Sequence, residues 1–138
     1  MKFADTGWWV AWALPDDSHH RDAFRMLGTL ASAEQVLTTN YVLGESWTFL
    51  RRKDGHQTAV GFLDRVTALV ESNRLVVHRV TEMQESSAWE WLRKRDEREY
   101  SFVDATSFRV MRDRRLREAL AFDQDFAAAG FLEVRPQR

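Results

Sequence analysis

The sequence predicts an α/β fold built on a largely parallel sheet. Short apolar runs alternate along the chain with longer amphipathic segments, the pattern of strand–helix–strand crossovers. Only two prolines, Pro15 and Pro136, interrupt the 138 residues, and no repeat, low-complexity tract or linker divides them. One hydrophobic core is therefore expected across residues 1–138. A composition of 44% hydrophobic and 30% charged residues, with six Trp and nine Phe, excludes a disordered chain and supplies bulky material for that core.

The elements are expected in the following order. Residues 2–4 form a short first strand, and a helix over 8–14 stops at Pro15. A second helix covers 18–33. Residues 35–38 read as a strand, and Asn40 caps the helix behind it, which runs to Lys53 and ends at Asp54-Gly55. A helix over 57–71 places Val60, Leu63, Val66 and Val70 on one face. A strand at 75–80 and a helix at 82–95 follow, then a helix at 102–114 and a strand at 118–122. A short helix over 125–129 ends at Gly130, and residues 131–134 close the sheet as an edge strand.

Several function classes are excluded at this level. The net charge of -1 lacks the strong basic excess of an electrostatic nucleic-acid binder. No cysteine is present, which rules out disulfides and thiolate metal sites and fits a reducing cytoplasm. No apolar run has the length of a signal peptide or of a membrane span, so a cytoplasmic protein without a membrane anchor is expected. His19-His20 is not read as a metal pair, because adjacent helical residues do not share a face. No nucleophile–His–Asp set, glycine-rich phosphate loop or zinc spacing occurs.

The chemistry is expected from acids placed at strand ends, where parallel α/β sheets collect their ligands. Asp5 follows the first strand and Asp123 follows the strand ending at Phe122. Glu45 lies about one turn into the helix after the 35–38 strand, at the edge of an arc formed by Val42, Leu43, Trp47, Phe49 and Leu50. Asp104 gives a sharper signal. At roughly 100° per residue it falls inside the apolar arc of Val103, Phe108, Val110 and Met111, together with Ser107. Arg109 and Arg112 face the other way. An ionised carboxylate aimed at a core is costly unless paired or bound to a cation. Each acid also has a structural alternative: a turn at Asp5-Thr6-Gly7, a solvated helix position for Glu45, a capping box over Ser101–Asp104, and a helix cap at Asp123. Clustered carboxylates repel, and a divalent cation resolves the conflict. Oxygen ligands without cysteine favour Mg²⁺ or Mn²⁺ over zinc. Such an ion activates water and neutralises phosphodiester charge.

The same residues carry a resemblance. Phe3-Ala4-Asp5-Thr6-Gly7 resembles the opening block of the PIN-domain family, with Gly7 where a Ser is usual. Asn40–Glu45 resembles its second block, Tyr100–Phe108 its third, and Ala119–Phe126 with Ala129-Gly130-Phe131 its fourth. The blocks occur in the family's order and span essentially the whole chain. The resemblance implies a PIN-like three-layer fold, with a mostly parallel sheet flanked by helices, and one or two Mg²⁺ or Mn²⁺ ions. It also implies endonucleolytic cleavage of RNA. By position, Asp5 and Asp104 would be the main metal ligands, and Glu45 and Asp123 would complete the site. Asp125 would assist a second metal, and Thr6 and Ser107 would orient carboxylates or water. The standalone length resembles the VapC toxin subgroup, which implies an antitoxin partner, a homodimer and a structured RNA target.

Three further features are read from the residues. The run Arg109–Arg117, with Arg109 and Arg112, is either a phosphate-tracking rim or a solvated helix face. Trp8, Trp9 and Trp12 crowd one short helix, so either core packing or one exposed ring at an interface is expected. Trp89 and Trp91 cannot share a helix face, so one of them is expected to be exposed. A second functional reading stands beside the nuclease: a catalytically weak RNA- or protein-binding module. A third is an enzyme acting on DNA or another phosphate ester.

Overall fold

Five short segments with apolar, often β-branched residues pair into one sheet. They are β1 (Lys2–Ala4), β2 (Val36–Thr39), β3 (Leu75–His78), β4 (Glu118–Leu120) and β5 (Leu132–Glu133). The computed structural model describes residues 1–137. All four pairings are parallel, in the order β3-β2-β1-β4-β5. The chain builds outward from β1 to β3, then returns to the other side of β1 with β4 and β5. Ala4 of β1 is in register with Leu120 of β4, so the reversal of strand order falls between these two strands.

Seven helices flank the sheet: α1 (Thr6–Ala13), α2 (His20–Leu27), α3 (Asn40–Asp54), α4 (His56–Glu71), α5 (Glu82–Arg93), α6 (Phe102–Asp113) and α7 (Asp125–Ala128). This is the expected α/β, PIN-like architecture.

Helix α1 is apolar on all sides and accordingly buried. Trp8, Trp9 and Trp12 are all in the core, so the interface reading of this cluster is corrected. Their polar handles are met inside: Trp8 Nε1 donates to the Ala23 carbonyl and Trp9 Nε1 to Thr38 Oγ1, each at 3.2 Å. The helix stops at Leu14, directly before Pro15.

Four other expectations are corrected. Helix α2 ends at Leu27 rather than Ala33, because Thr29 and Leu30 donate to carbonyls only three residues back and the segment turns toward β2. Glu34 then accepts from Lys2 Nζ at 3.1 Å and closes that end of the sheet. Helix α3 is capped by Thr39, whose Oγ1 accepts from Val42 N. Asn40 Oδ1 accepts instead from Val80 N at 2.9 Å, which draws residue 80 out of the ladder and ends β3 at His78. In α4 the buried stripe is Ala59, Phe62 and Val66, whereas Val60, Leu63 and Val70 are exposed. Phe62 sets this rotation by meeting Trp9 edge-on, with 5.9 Å between ring centroids. In α3 the buried face is Val42, Ser46 and Leu50, and Phe49 is exposed.

Helix α6 is the most deeply embedded, with Asp104, Ala105, Ser107, Phe108, Val110 and Met111 all buried. Phe108 meets Phe126 edge-on at 4.9 Å, which locks α6 against the segment after β4. Trp91 packs on Phe108, while Trp89 is 54% exposed, as expected for two residues on opposite sides of α5.

Candidate metal centre

Each acid reaches the centre by a different local device. Asp5 is the last residue before α1; its backbone N–H donates to the Leu120 carbonyl, pinning it across the β1–β4 switch point. Its side chain makes no capping hydrogen bond, so both carboxylate oxygens remain available. Asp104 lies three residues into α6. Its Oδ2 accepts from Ser101 N at 3.1 Å, while Ser101 Oγ accepts from Asp104 N at 2.9 Å. The structural alternative for Asp104 is therefore also true: it completes a capping box while its second oxygen stays free. Strand β4 ends at Leu120, two residues earlier than expected, and the chain then curls through Gln124 in the left-handed region (φ 68°). That curl returns Asp123 toward β1, and its Oδ1 accepts from Asp125 N at 3.1 Å.

Asp5, Asp104 and Asp123 each place a carboxylate oxygen within 4.8 Å of the others. Asp5 and Asp104 are buried, whereas Asp123 is exposed at the mouth. Burial holds the Asp5 carboxyl well above the usual carboxylate range, reinforced by the charges of Asp123 and Asp104 and opposed by the Thr6 backbone N–H. Burial also raises Asp104, against the hydrogen bond from the Ser101 N–H and with help from the Asp125 charge. Asp123 is pushed up to about 6 by burial of its carboxylate, with the Asp125 and Asp104 charges adding to it and the Asp125 N–H working against it. The three carboxylates thus resist sharing this space as anions without a cation.

Glu45 stands at the rim on α3. Thr6 Oγ1 donates to its Oε1 at 2.6 Å, and its charge contributes to the upward shifts of Asp5 and Asp104. Ser107 lies one turn beyond Asp104 on the same face of α6; its Oγ is buried without a hydrogen-bond partner among the described residues. Asp125 is held away by Arg98, whose Nε donates to its Oδ1 at 2.5 Å and whose Nη2 donates to the Asp123 carbonyl at 3.0 Å. Arg98 was not legible as a site residue, because nothing distinguishes it within the mixed charges of residues 93–99. Arg109 and Arg112 are not drawn into the centre. Arg109 pairs with Asp113 at 2.6 Å, and Arg112 lies over the Phe131 ring and donates to the Ala129 carbonyl.

A hard divalent cation fits these residues. The donors are all oxygen, three converge, and their carboxyls are raised in the cation's absence. The orphaned Ser107 hydroxyl adds a polar group with nothing yet to bind.

A parallel sheet with an acidic cluster at its switch point defines a PIN-type nuclease centre, and the PIN domain model matches residues 2–132. The chain belongs to the PIN-domain family, as a VapC-type toxin ribonuclease. It is 48% identical over 137 residues to the 23S rRNA-specific endonuclease VapC20 of Mycobacterium tuberculosis strains CDC 1551 and H37Rv, covering 99% of this chain and 100% of the relative. The crystal structure of M. tuberculosis VapC20, described as a sarcin–ricin loop cleaving toxin, superposes with a TM-score of 0.89 at 48% identity over 99% of this chain and 100% of that one.

Proposed function

We propose that this protein hydrolyses the sarcin–ricin loop of 23S rRNA as the toxin of a toxin–antitoxin pair, using Asp5, Glu45, Asp104 and Asp123 as its catalytic acids. The convergence of Asp5, Asp104 and Asp123 within 4.8 Å carries the reading of the site. The similarity to VapC20 over the full length of both chains supports the choice of RNA.

Asp5, Asp104 and Asp123 would hold Mg²⁺ or Mn²⁺, which supplies charge neutralisation at the phosphodiester and lowers the pKa of water. Asp104 offers one oxygen while the Ser101 N–H fixes the other, so the carboxylate cannot swing. Glu45, oriented by Thr6, offers a proton acceptor at the rim, and the buried Ser107 hydroxyl orients a neighbouring carboxylate or water. Asp125, anchored by Arg98, sets the position of the Asp123 turn.

The partners belong to the same reading. Val60, Leu63 and Val70 on α4 and Phe49 on α3 expose apolar surface suited to an antitoxin or a second copy of the toxin. No described helix is long and apolar enough to cross a membrane.

The test is incubation of purified, antitoxin-free protein with intact ribosomes and with total RNA, in Mg²⁺, in Mn²⁺ and in excess EDTA, with Asp104→Ala alongside. Discrete 23S rRNA fragments requiring both metal and Asp104 support the proposal. A folded protein that cuts no RNA in any divalent metal favours a binding module, and cleavage of DNA at the same rate favours the third reading.

A further inference from the structure

The aromatic residues beside the acidic centre are arranged in a way that core packing does not require. Trp89 on α5 is 54% exposed, yet its ring stacks on Phe102 with centroids 4.1 Å apart and planes 21° from parallel. One face of the indole is thus covered, and no other aromatic ring packs against it among the described residues. Phe102 opens α6, two residues before Asp104, so the stack is tied through one helical turn to the metal centre. On its other side Phe102 meets Tyr41, at 6.0 Å, whose hydroxyl is held by Glu85.

An open groove of about 630 Å³ joins this stack to the rim acid. It runs between α3 and the start of α6, with Glu45 at one point of its lining and Phe102 at another; Phe49 and Arg52 also face it. We propose that Trp89 and Phe102 form a base-stacking platform, on which an unpaired nucleotide of the RNA rests beside the scissile phosphate, its own phosphate reached by Arg52. This rests on the ribonuclease reading above and adds to it a site for substrate recognition.

Three observations favour a nucleotide over a protein surface. The groove is continuous with Glu45, and hence with the place where a phosphodiester must lie. Its lining mixes rings with polar groups, Asn40, Thr48 and Arg52 among them, whereas the middle of a protein interface is depleted of charge. A nucleotide matches that mixture, with a π-face for the indole, polar edges for Asn40 and Thr48, and an anion for Arg52. Stacking on an aromatic side chain is also how proteins hold splayed bases of RNA loops, contributing about 1–3 kcal/mol per base.

The experiment uses the full chain and an RNA hairpin whose loop carries 2-aminopurine at one position at a time. Binding is read in excess EDTA by quenching of the 2-aminopurine fluorescence, and cleavage is read in Mg²⁺ as kcat and KM. Trp89→Phe, Trp89→Ala and Arg52→Ala are compared with the unaltered protein, and the oligomeric state of each is measured by light scattering. Quenching at one or two loop positions is expected, kept by Trp89→Phe and lost in Trp89→Ala. KM should rise about 10- to 100-fold in Trp89→Ala with kcat nearly unchanged. Equal quenching and KM in Trp89→Ala overturns the platform. So does a Trp89→Ala protein that falls from dimer to monomer with binding lost in proportion, which makes the surface a contact between copies. Failure of the ribonuclease reading is seen separately, as an unaltered protein that cuts no RNA, because the quenching arm does not depend on cleavage.

Discussion

Thr6 Oγ1 donates a 2.6 Å hydrogen bond to Glu45 Oε1, joining the first turn of α1 to α3 across 39 positions of sequence. Glu45 is exposed, and this is the side-chain hydrogen bond that fixes it toward the centre. Thr6→Val keeps the shape and removes the donor. Its cleavage rate should fall about 10- to 100-fold with little change in melting temperature, whereas Thr6→Ser should remain near full activity. Equal rates for Thr6→Val and the unaltered protein, measured under single turnover, would remove Thr6 from the site.

Asp104 serves both the fold and the centre, and two substitutions separate the roles. Asp104→Ala loses the capping interaction as well as the charge, so it should lower stability by about 1 kcal/mol besides abolishing cleavage. Asp104→Asn retains an oxygen for the Ser101 N–H and should be just as inactive at near-normal stability. Calorimetric titration with Mn²⁺ should show no binding to either variant at concentrations that saturate the unaltered chain.

The raised carboxyls make the metal-free protein sensitive to alkali rather than to acid. Asp123 titrates near 6 in the folded state against an ordinary 3.8. Its contribution to stability is therefore complete below about pH 4 and is lost as the pH rises through 6. Asp5 and Asp104, also raised, act in the same direction. Asp123→Asn should raise the metal-free melting temperature at pH 7.5 and leave it nearly unchanged at pH 4. After discounting for the exposure of Asp123, the gain is about 1 kcal/mol, or roughly 4 °C. Saturating Mg²⁺ should stabilise the unaltered chain at pH 7.5 and have a weaker effect on the variant. A variant that melts lower than the unaltered chain at pH 7.5 would refute the repulsion argument.

Arg98 holds the turn that carries Asp123, through Asp125 on one side and the Asp123 carbonyl on the other. Arg98→Ala should weaken Mn²⁺ binding about 10-fold, read by calorimetry without substrate. Arg98→Lys supplies charge without the planar fork and should recover only part of it.

Gly7 is the site's visible departure from the family pattern, and it is not required by space. A Cβ there would meet no heavy atom within 4 Å. Gly7→Ser should fold normally and Gly7→Ala should gain about 0.5–1 kcal/mol, since glycine is a poor helix former. If Gly7→Ser also tightens Mn²⁺ binding, the hydroxyl usual at this position has a role that this chain lacks.

The parallel sheet and every helix were legible because the apolar periodicity is strong, and Asp104 stood out because its carboxylate lay within an apolar arc. What local pattern missed was decided by distant partners. Phe62 turned α4 toward Trp9, so Val60, Leu63 and Val70 faced outward although their spacing is helical. Asn40 found Val80 and left the cap to Thr39. The convergence of Asp5 with Asp123 could be expected from strand ends, but Arg98 enters through a loop whose conformation no periodicity encodes. All three tryptophans of α1 are buried because α2, α4 and β2 surround that helix, an arrangement beyond the reach of its own eight residues.

The central place of β1 in the sheet has a consequence for when the chain becomes dangerous. Asp5 is among the first residues synthesised and Asp123 among the last, and they meet only after β4 has inserted beside β1. Until then a nascent chain carries the early acids without their counterpart, and such long-range parallel pairing is slow to form. A toxin directed at ribosomes would in this way leave the ribosome that makes it before it is armed. A product truncated after α6 would keep Asp5, Glu45 and Asp104, yet be harmless to the cell that made it.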